Sequence, residues 1–73
     1  MSGYRDPWVR GEQIPGIEFA YNSYVEIISG PFKGEGGWLV AVDPRGDEPI
    51  YTVELQSRKP DADIPQSAIR LHP

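Results

Sequence analysis

Apolar and polar residues alternate in short runs along this chain, and Gly- or Pro-rich breaks separate the runs. The cleanest alternation covers residues 50–56, where Tyr51, Val53 and Leu55 are apolar and polar residues stand between them. Alternation with a period of two is typical of a β-strand that has one buried face and one wet face. The same pattern predicts further short strands, at residues 24–29, 62–64 and 69–71.

Residues 38–43 differ because this predicted strand is apolar on both sides. Its apolar residues are Trp38, Val40 and Val42 on one side and Leu39 and Ala41 on the other. Such a strand is either covered on both faces or bends, so that its two halves face different ways. A chain of 73 residues has too little protein to cover both faces of a flat sheet, so the sequence predicts a bend.

The N-terminal third of the chain is less regular. Residues 1–12 contain Gly and Pro and show no period, which predicts a flexible or loosely packed arm. Trp8 in this arm has two interpretations: a side chain that packs on the core, which we favour, or an exposed aromatic that grips a partner. Residues 13–22 begin with a turn at Pro15-Gly16 and continue as a short strand or extended arm, with its aromatic side turned inward.

Five or six short strands with turns between them predict one all-β domain over residues 13–73. No stretch shows apolar residues at helical spacing over ten or more positions. Residues 65–68, with Pro at their start, suit a single 3-10 turn. The sequence alone leaves a barrel and a sandwich open.

Acidic residues are concentrated in the centre of the chain. The net charge is −4, and between residues 23 and 56 two basic residues stand against six acidic ones. This balance argues against strong non-specific binding to nucleic acid, which needs clustered Lys and Arg. A weak basic patch is conceivable near Arg58, Lys59 and Arg70.

No group of residues indicates catalysis. The chain has no Cys and one His, and His72 with Asp61 and Asp63 fits no known metal-ligand spacing. The Gly-rich loop at 30–37 lacks the Gly-Lys-Ser/Thr ending of a phosphate-binding loop. We therefore expect no enzyme activity, cofactor, metal or small-molecule substrate. The absence of a secretory h-region and of a long apolar run predicts a cytoplasmic protein that does not enter a membrane.

The first predicted hairpin has a pattern of Gly and apolar residues that can be compared with known motifs. It reads Val25-x-Ile27-Ile28-x-Gly30-Pro31-Phe32-Lys33-Gly34-x-x-Gly37-x-Leu39-x-x-Val42. This pattern resembles the KOW motif, found in the C-terminal domains of NusG-type transcription elongation factors and in several large-subunit ribosomal proteins. The resemblance implies a small SH3-like barrel of five or six short, strongly bent antiparallel strands.

The glycines of this motif have expected roles. Gly30 and Gly34 allow positive φ in the loop, and Gly37 lets the second strand start close to its neighbour. Phe32 is expected to cap the open end of the barrel, with Lys33 exposed at the loop tip.

The resemblance also suggests what the domain binds. RNA-binding members of the family are basic and this chain is acidic, so a protein partner is the first expectation. The partner-binding residues are then expected to be Tyr24, Phe32, Lys33 and Trp38. Whether these aromatic residues form a docking surface or complete the core is left open.

Two alternatives remain at this point. One is binding to RNA, the ribosome or the transcription machinery, with phosphate contacts from Lys33, Arg58, Lys59 and Arg70. The other is a small accessory subunit of an enzyme complex, whose acidic strands meet a basic partner.

Overall fold

Five short strands form most of the fold in the computed structural model, which describes residues 5–72. The elements in chain order are helix α1 (Arg5–Val9), strands β1 (Tyr24–Ile27), β2 (Gly36–Asp43), β3 (Ile50–Leu55) and β4 (Ala62–Pro65), a 3-10 turn (Gln66–Ala68) and strand β5 (Ile69–Leu71). The five strands predicted from residue 24 onward are confirmed, with their ends displaced by up to two residues. Residues 1–4 of the expected arm, and Pro73, lie outside the described residues.

The five strands form one antiparallel sheet in the order β4-β3-β2-β1-β5. Strands β1 to β4 follow one another as a meander, and the 3-10 turn then returns the chain so that β5 pairs with β1. In that last pairing Val25 lies opposite Leu71, and Ile27 lies opposite Ile69. The predicted all-β fold of short antiparallel strands is therefore confirmed.

One face of the sheet supplies most of the core. Strand β3 keeps the alternation seen in the sequence, since Tyr51, Val53 and Leu55 are buried and Glu54 is exposed. All buried apolar side chains of the described residues belong to a single cluster: Trp8, Ile17, Val25, Ile27, Leu39, Val42, Tyr51, Val53, Leu55, Ala62, Ile64, Ala68 and Ile69. Burial of this apolar area is the main force that stabilises so small a domain.

Strand β2, for which the sequence predicts a bend, contains an extra residue. Leu39 pairs with Val53 and Ala41 pairs with Thr52, so Val40 is an extra residue in the ladder. An extra residue reverses the alternation beyond it and increases the local twist. Leu39 and Val42 are consequently both buried. The expectation that Val42 shares a face with Trp38 is wrong for this reason.

The segment before β1 lies against the core. Trp8 in helix α1 is only 2% exposed, which confirms the packing interpretation of this residue. The sequence does not predict α1, because five residues are too few to show a helical period. Residues 13–22 form no strand; an isolated bridge joins Ile14 and Ile17 across the Pro15-Gly16 turn.

Candidate functional site

The aromatic side chains form two clusters with different surroundings. The inner aromatic cluster consists of Trp8, Phe19 and Tyr51, with Tyr21 edge-on to Trp8 at 5.5 Å between ring centroids. The outer aromatic cluster consists of Tyr24, Trp38 and His72. In the inner cluster Trp8 and Tyr51 are buried and Tyr21 is exposed at the edge, whereas in the outer cluster the indole of Trp38 itself is exposed.

The inner aromatic cluster joins the N-terminal segment to strand β3. The Tyr51 ring lies 6.3 Å from that of Trp8 and 5.7 Å from that of Phe19, between centroids. The Trp8 indole Nε1–H donates to the Phe19 carbonyl oxygen at 2.9 Å. The Phe19 amide donates to the Tyr51 hydroxyl at 3.3 Å. Both polar groups of the aromatic side chains are therefore satisfied inside the protein.

Gln66 in the 3-10 turn connects this cluster to the rest of the N-terminal segment. Its Oε1 accepts from the Tyr51 hydroxyl at 2.5 Å and from the Glu18 amide at 3.0 Å. Its Nε2 donates to the Gly16 carbonyl oxygen at 3.4 Å. Burial raises the pKa of the Tyr51 hydroxyl, so this group stays protonated and keeps its role as donor. The role of Gln66 is not predictable from the sequence, because a glutamine in a short turn gives no local signal of long-range hydrogen bonds.

The outer aromatic cluster is built across three strands. Tyr24 of β1 and Trp38 of β2 are direct cross-strand partners, and their ring centroids lie 5.0 Å apart. The centroid of the His72 ring, just after β5, also lies 5.0 Å from that of the Tyr24 ring. The Tyr24 hydroxyl also donates to Oε1 of Gln56. Tyr24 is thus held on several sides, while Trp38 remains 36% exposed.

Two glycines at the start of β2 make this arrangement possible. A Cβ at Gly36 would overlap the Tyr24 hydroxyl, and a Cβ at Gly37 would collide with the Glu54 carbonyl oxygen. Gly37 therefore has the expected role of close strand approach. Gly36 has a role that the sequence analysis missed: it leaves room for the Tyr24 side chain to lie across β2.

The loop between β1 and β2 places the other two expected partner-binding residues. Gly30 and Gly34 have φ of 88° and 94°, as predicted. Phe32 is half-buried and packs against the core, whereas Lys33 is exposed. Within residues 5–72, Phe32 makes no ring contact with Tyr24 or Trp38. The four expected residues thus divide into an outer pair, Tyr24 and Trp38, and a loop pair, Phe32 and Lys33.

Carboxylates already bind two of the four basic side chains considered for phosphate contacts. Lys59 Nζ lies 2.6 Å from Glu35 Oε2, and this ion pair lowers the pKa of the Glu35 carboxyl. Arg70 donates from Nε at 3.0 Å and from Nη2 at 2.8 Å to a single oxygen, Oε1 of Glu26. The other two, Lys33 and Arg58, are exposed. Lys33 lies in the β1–β2 loop, Arg58 and Lys59 in the β3–β4 connection, and Arg70 on β5.

Acidic side chains border the outer aromatic cluster on the opposite side. Glu54 of β3 is the cross-strand partner of Trp38, and both are exposed. Asp63 of β4 pairs in register with Thr52 and accepts from its hydroxyl at 2.9 Å. Asp61 is exposed just before β4. Among the described residues, none of these three carboxylates forms an ion pair.

Other kinds of site have little support in the described part of the chain. It contains no group of three or more His, Cys, Asp or Glu side chains that could hold a metal ion. A cleft of about 210 Å³ in the N-terminal segment, between Trp8, Ile14 and Phe19, is smaller than the roughly 300 Å³ at which ordinary ligand pockets begin. No helix within residues 5–72 has the length and apolar character needed to cross a membrane.

Comparisons with protein-family models, with curated proteins and with solved structures found no match for this chain. The functional interpretation therefore depends on the geometry of the two aromatic clusters and the charges around them.

Proposed function

We propose that this chain is a non-enzymatic protein-interaction module with an SH3-like, KOW-type barrel. Its docking surface is the outer aromatic cluster together with the adjoining loop of residues 30–38. The barrel assignment is supported by the strand order, in which a four-strand meander is followed by a 3-10 turn and a last strand that pairs with the first. It is also supported by the twist-increasing extra residue in β2, Val40.

The main support for a docking surface is the exposure of Trp38 on a fixed support. Trp and Tyr are enriched among the residues that contribute most to protein–protein binding. Tyr24 fixes the position of Trp38 from one side and is itself held by Gln56 and His72. A ring already held in place loses little conformational entropy when a partner covers it. Trp38 therefore has the chemistry and the rigidity of a binding anchor.

The loop pair contributes differently. Phe32 packs against the core and so holds the shape of the loop. Backbone hydrogen bonds from Gly34 to Ile27 and from Ile27 to Glu35, both 2.8 Å, close the loop at its base. Lys33 is left at the tip as a charge at the rim of the surface.

The charges argue against the RNA alternative. Two of the four basic groups are paired with carboxylates, and uncompensated acids lie beside the exposed aromatic rings. Phosphates approaching this face would be repelled rather than neutralised. No specific observation favours the accessory-subunit alternative over a general protein partner.

Quantitative affinity capture with tagged Trp38→Ala tests this function. We expect the wild-type chain to retain a specific partner and Trp38→Ala to lose it. The matched control is Val9→Ala, since Val9 is 42% exposed but lies on helix α1. Thermal unfolding and amide spectra establish that each variant is folded. Equal recovery of the partner with folded Trp38→Ala contradicts the proposed surface.

A further inference from the structure

We infer that the outer aromatic cluster binds an extended, basic segment of a protein, with one Arg or Lys side chain stacked on Trp38 and paired with Glu54. This inference rests on the proposed function, because it names the chemistry of the partner at that same surface. The distribution of charge, the order of side chains across the sheet and the strand spacing support it.

The charges on this face are compensated on one side and uncompensated on the other. Toward β5 and the loops, Glu26 is paired with Arg70 and Glu35 with Lys59. Toward β3 and β4, three carboxylates have no ion pair within the described residues: Glu54, Asp61 and Asp63. The β3–β4 connection has two basic residues, Arg58 and Lys59, and Lys59 is paired with Glu35. With Arg58 counted against the three carboxylates, this side remains net acidic. A partner segment that covers this side must therefore be basic.

Trp38 and Glu54 together match a single cationic side chain. They are opposed across β2 and β3, and directly opposed side chains on one face have their Cβ atoms about 5 Å apart. Trp is the best aromatic partner for a cation, and a guanidinium stacks on its ring while donating to a carboxylate. A Lys ammonium can make the same two contacts as a point charge. An apolar or acidic side chain would leave Glu54 covered without a partner, which is unfavourable.

The position of a second carboxylate, that of Asp63, indicates that the bound partner segment is extended. Thr52 is two positions before Glu54 on β3, and it holds Asp63 by a hydrogen bond. Positions i and i+2 of a strand are about 7 Å apart, on the same face. Alternate side chains of an extended peptide have the same spacing. Asp63 lies opposite Thr52 on β4, so Glu54 and Asp63 are diagonal neighbours about 7–8 Å apart. A peptide with basic residues at every second position therefore matches both carboxylates.

The probe for this inference is a synthetic peptide of alternating Arg and Gly, ten residues long, titrated into the full chain by isothermal calorimetry. Controls are the Gln-Gly and Glu-Gly peptides of equal length. We expect the Arg peptide to bind with an affinity that falls as salt is raised and that exceeds the affinity of the Gln peptide tenfold or more. No detectable binding of the Arg peptide at millimolar concentration, or equal binding of the Glu peptide, overturns the inference.

Two variants locate the binding. The double variant Glu54→Gln, Asp63→Asn is expected to lower the affinity for the Arg peptide at least tenfold. Asp47→Asn is the matched control, because Asp47 is also exposed but lies in the β2–β3 loop, at the other end of β3. If Asp47→Asn weakens binding as much as the double variant, the peptide is bound by net charge alone and the inference is overturned.

Capture of the partner by the same variants distinguishes failure of this inference from failure of the proposed function. If capture of the partner requires Trp38 but is unaffected by the double variant, the proposed function stands and a basic partner is excluded. If capture does not require Trp38, the proposed function itself fails. RNA binding that competes with the Arg peptide at low salt also overturns the inference, because the surface would then accept phosphate.

Discussion

The inner and outer aromatic clusters use the same local chemistry with opposite results. Each has a central tyrosine between two other aromatic rings, and in each the tyrosine hydroxyl donates to a glutamine: Tyr51 to Gln66, and Tyr24 to Gln56. Yet Trp8 in the inner cluster is 2% exposed, while Trp38 in the outer cluster is 36% exposed. Ring contacts and hydroxyl bonds therefore do not decide whether a cluster is core or surface.

The two clusters differ in their contact with the N-terminal segment, residues 6–20. Residues 6–20 bring Trp8 and Phe19 onto Tyr51. They are held there by hydrogen bonds between their backbone and the Gln66 side chain, and by the bond from the Trp8 indole to the Phe19 carbonyl oxygen. Within the described residues, the Gln56 side chain bonds only to Tyr24. Gln66 thus holds the N-terminal segment against the core, whereas Gln56 only orients the Tyr24 ring. The same contrast predicts large effects on stability for inner substitutions, and on binding for outer ones.

The largest expected effect is that of Trp8→Ala. Removal of a buried Trp costs about 3–5 kcal/mol of unfolding free energy, because it leaves a cavity and removes apolar burial. Trp38→Ala, at a partly exposed site, is expected to cost about 1 kcal/mol. Urea unfolding of both variants measures the difference. Equal losses would contradict the division into a structural and a surface cluster.

A smaller effect on stability is expected at the two glutamines. Gln66→Ala leaves the Tyr51 hydroxyl and the Glu18 amide without their partner, which costs about 1–3 kcal/mol. Gln56→Ala removes one exposed bond and is expected to cost about 0.5 kcal/mol. Thermal unfolding of the pair is the measurement. A larger loss for Gln56→Ala would show that the outer cluster, not the inner one, supports the fold.

Gly36→Ala tests how the outer cluster is positioned. The added methyl group would displace the Tyr24 hydroxyl, a side-chain group that can move, so we expect a modest loss of stability, about 1 kcal/mol. We also expect partner capture to fall, because Trp38 loses its support. Gly37→Ala meets backbone instead and is expected to destabilise the fold more. Full retention of capture by Gly36→Ala would mean that Tyr24 does not position Trp38.

The smallest expected effect concerns the compensated charges beside the outer cluster. The hydrogen bond from Lys59 holds the pKa of the Glu35 carboxyl below its ordinary value. A lowered folded-state pKa contributes stability that is present above the unfolded value and is lost as the pH falls below it. We therefore expect Lys59→Gln to raise the pKa of Glu35, as measured by carboxyl carbon titration, and to tighten binding of the Arg peptide slightly by freeing one more acid. An unchanged Glu35 titration would contradict the ion pair.

Most of the fold can be predicted from local pattern. Strand β3 is recognised because each buried residue is followed by a polar one. Strand β2 is predicted to bend because its two apolar sides cannot both be covered, and the structure has an extra residue in that strand, Val40. The face of Val42 is not predictable, since it depends on which residue is the extra one in the ladder. Helix α1 is too short to show a period.

The two clusters can be predicted only in part. Tyr24 and Trp38 are found from their place in the hairpin. Their exposure cannot be predicted, because it depends on where residues 6–20 lie. The hydrogen bonds that hold those residues to Gln66 span about 50 positions of sequence. A hydrogen bond over such a distance leaves no local pattern for sequence analysis to detect.

The two indole N–H groups allow the most direct test of the account. In an amide spectrum of the uniformly ¹⁵N-labelled chain, Trp8 and Trp38 each give one side-chain signal, and the captured partner, once purified, is titrated in. The account predicts that the Trp38 indole signal shifts or broadens while the Trp8 signal, bonded to the Phe19 carbonyl, stays in place. A shift of the Trp8 signal with the Trp38 signal unmoved would contradict it.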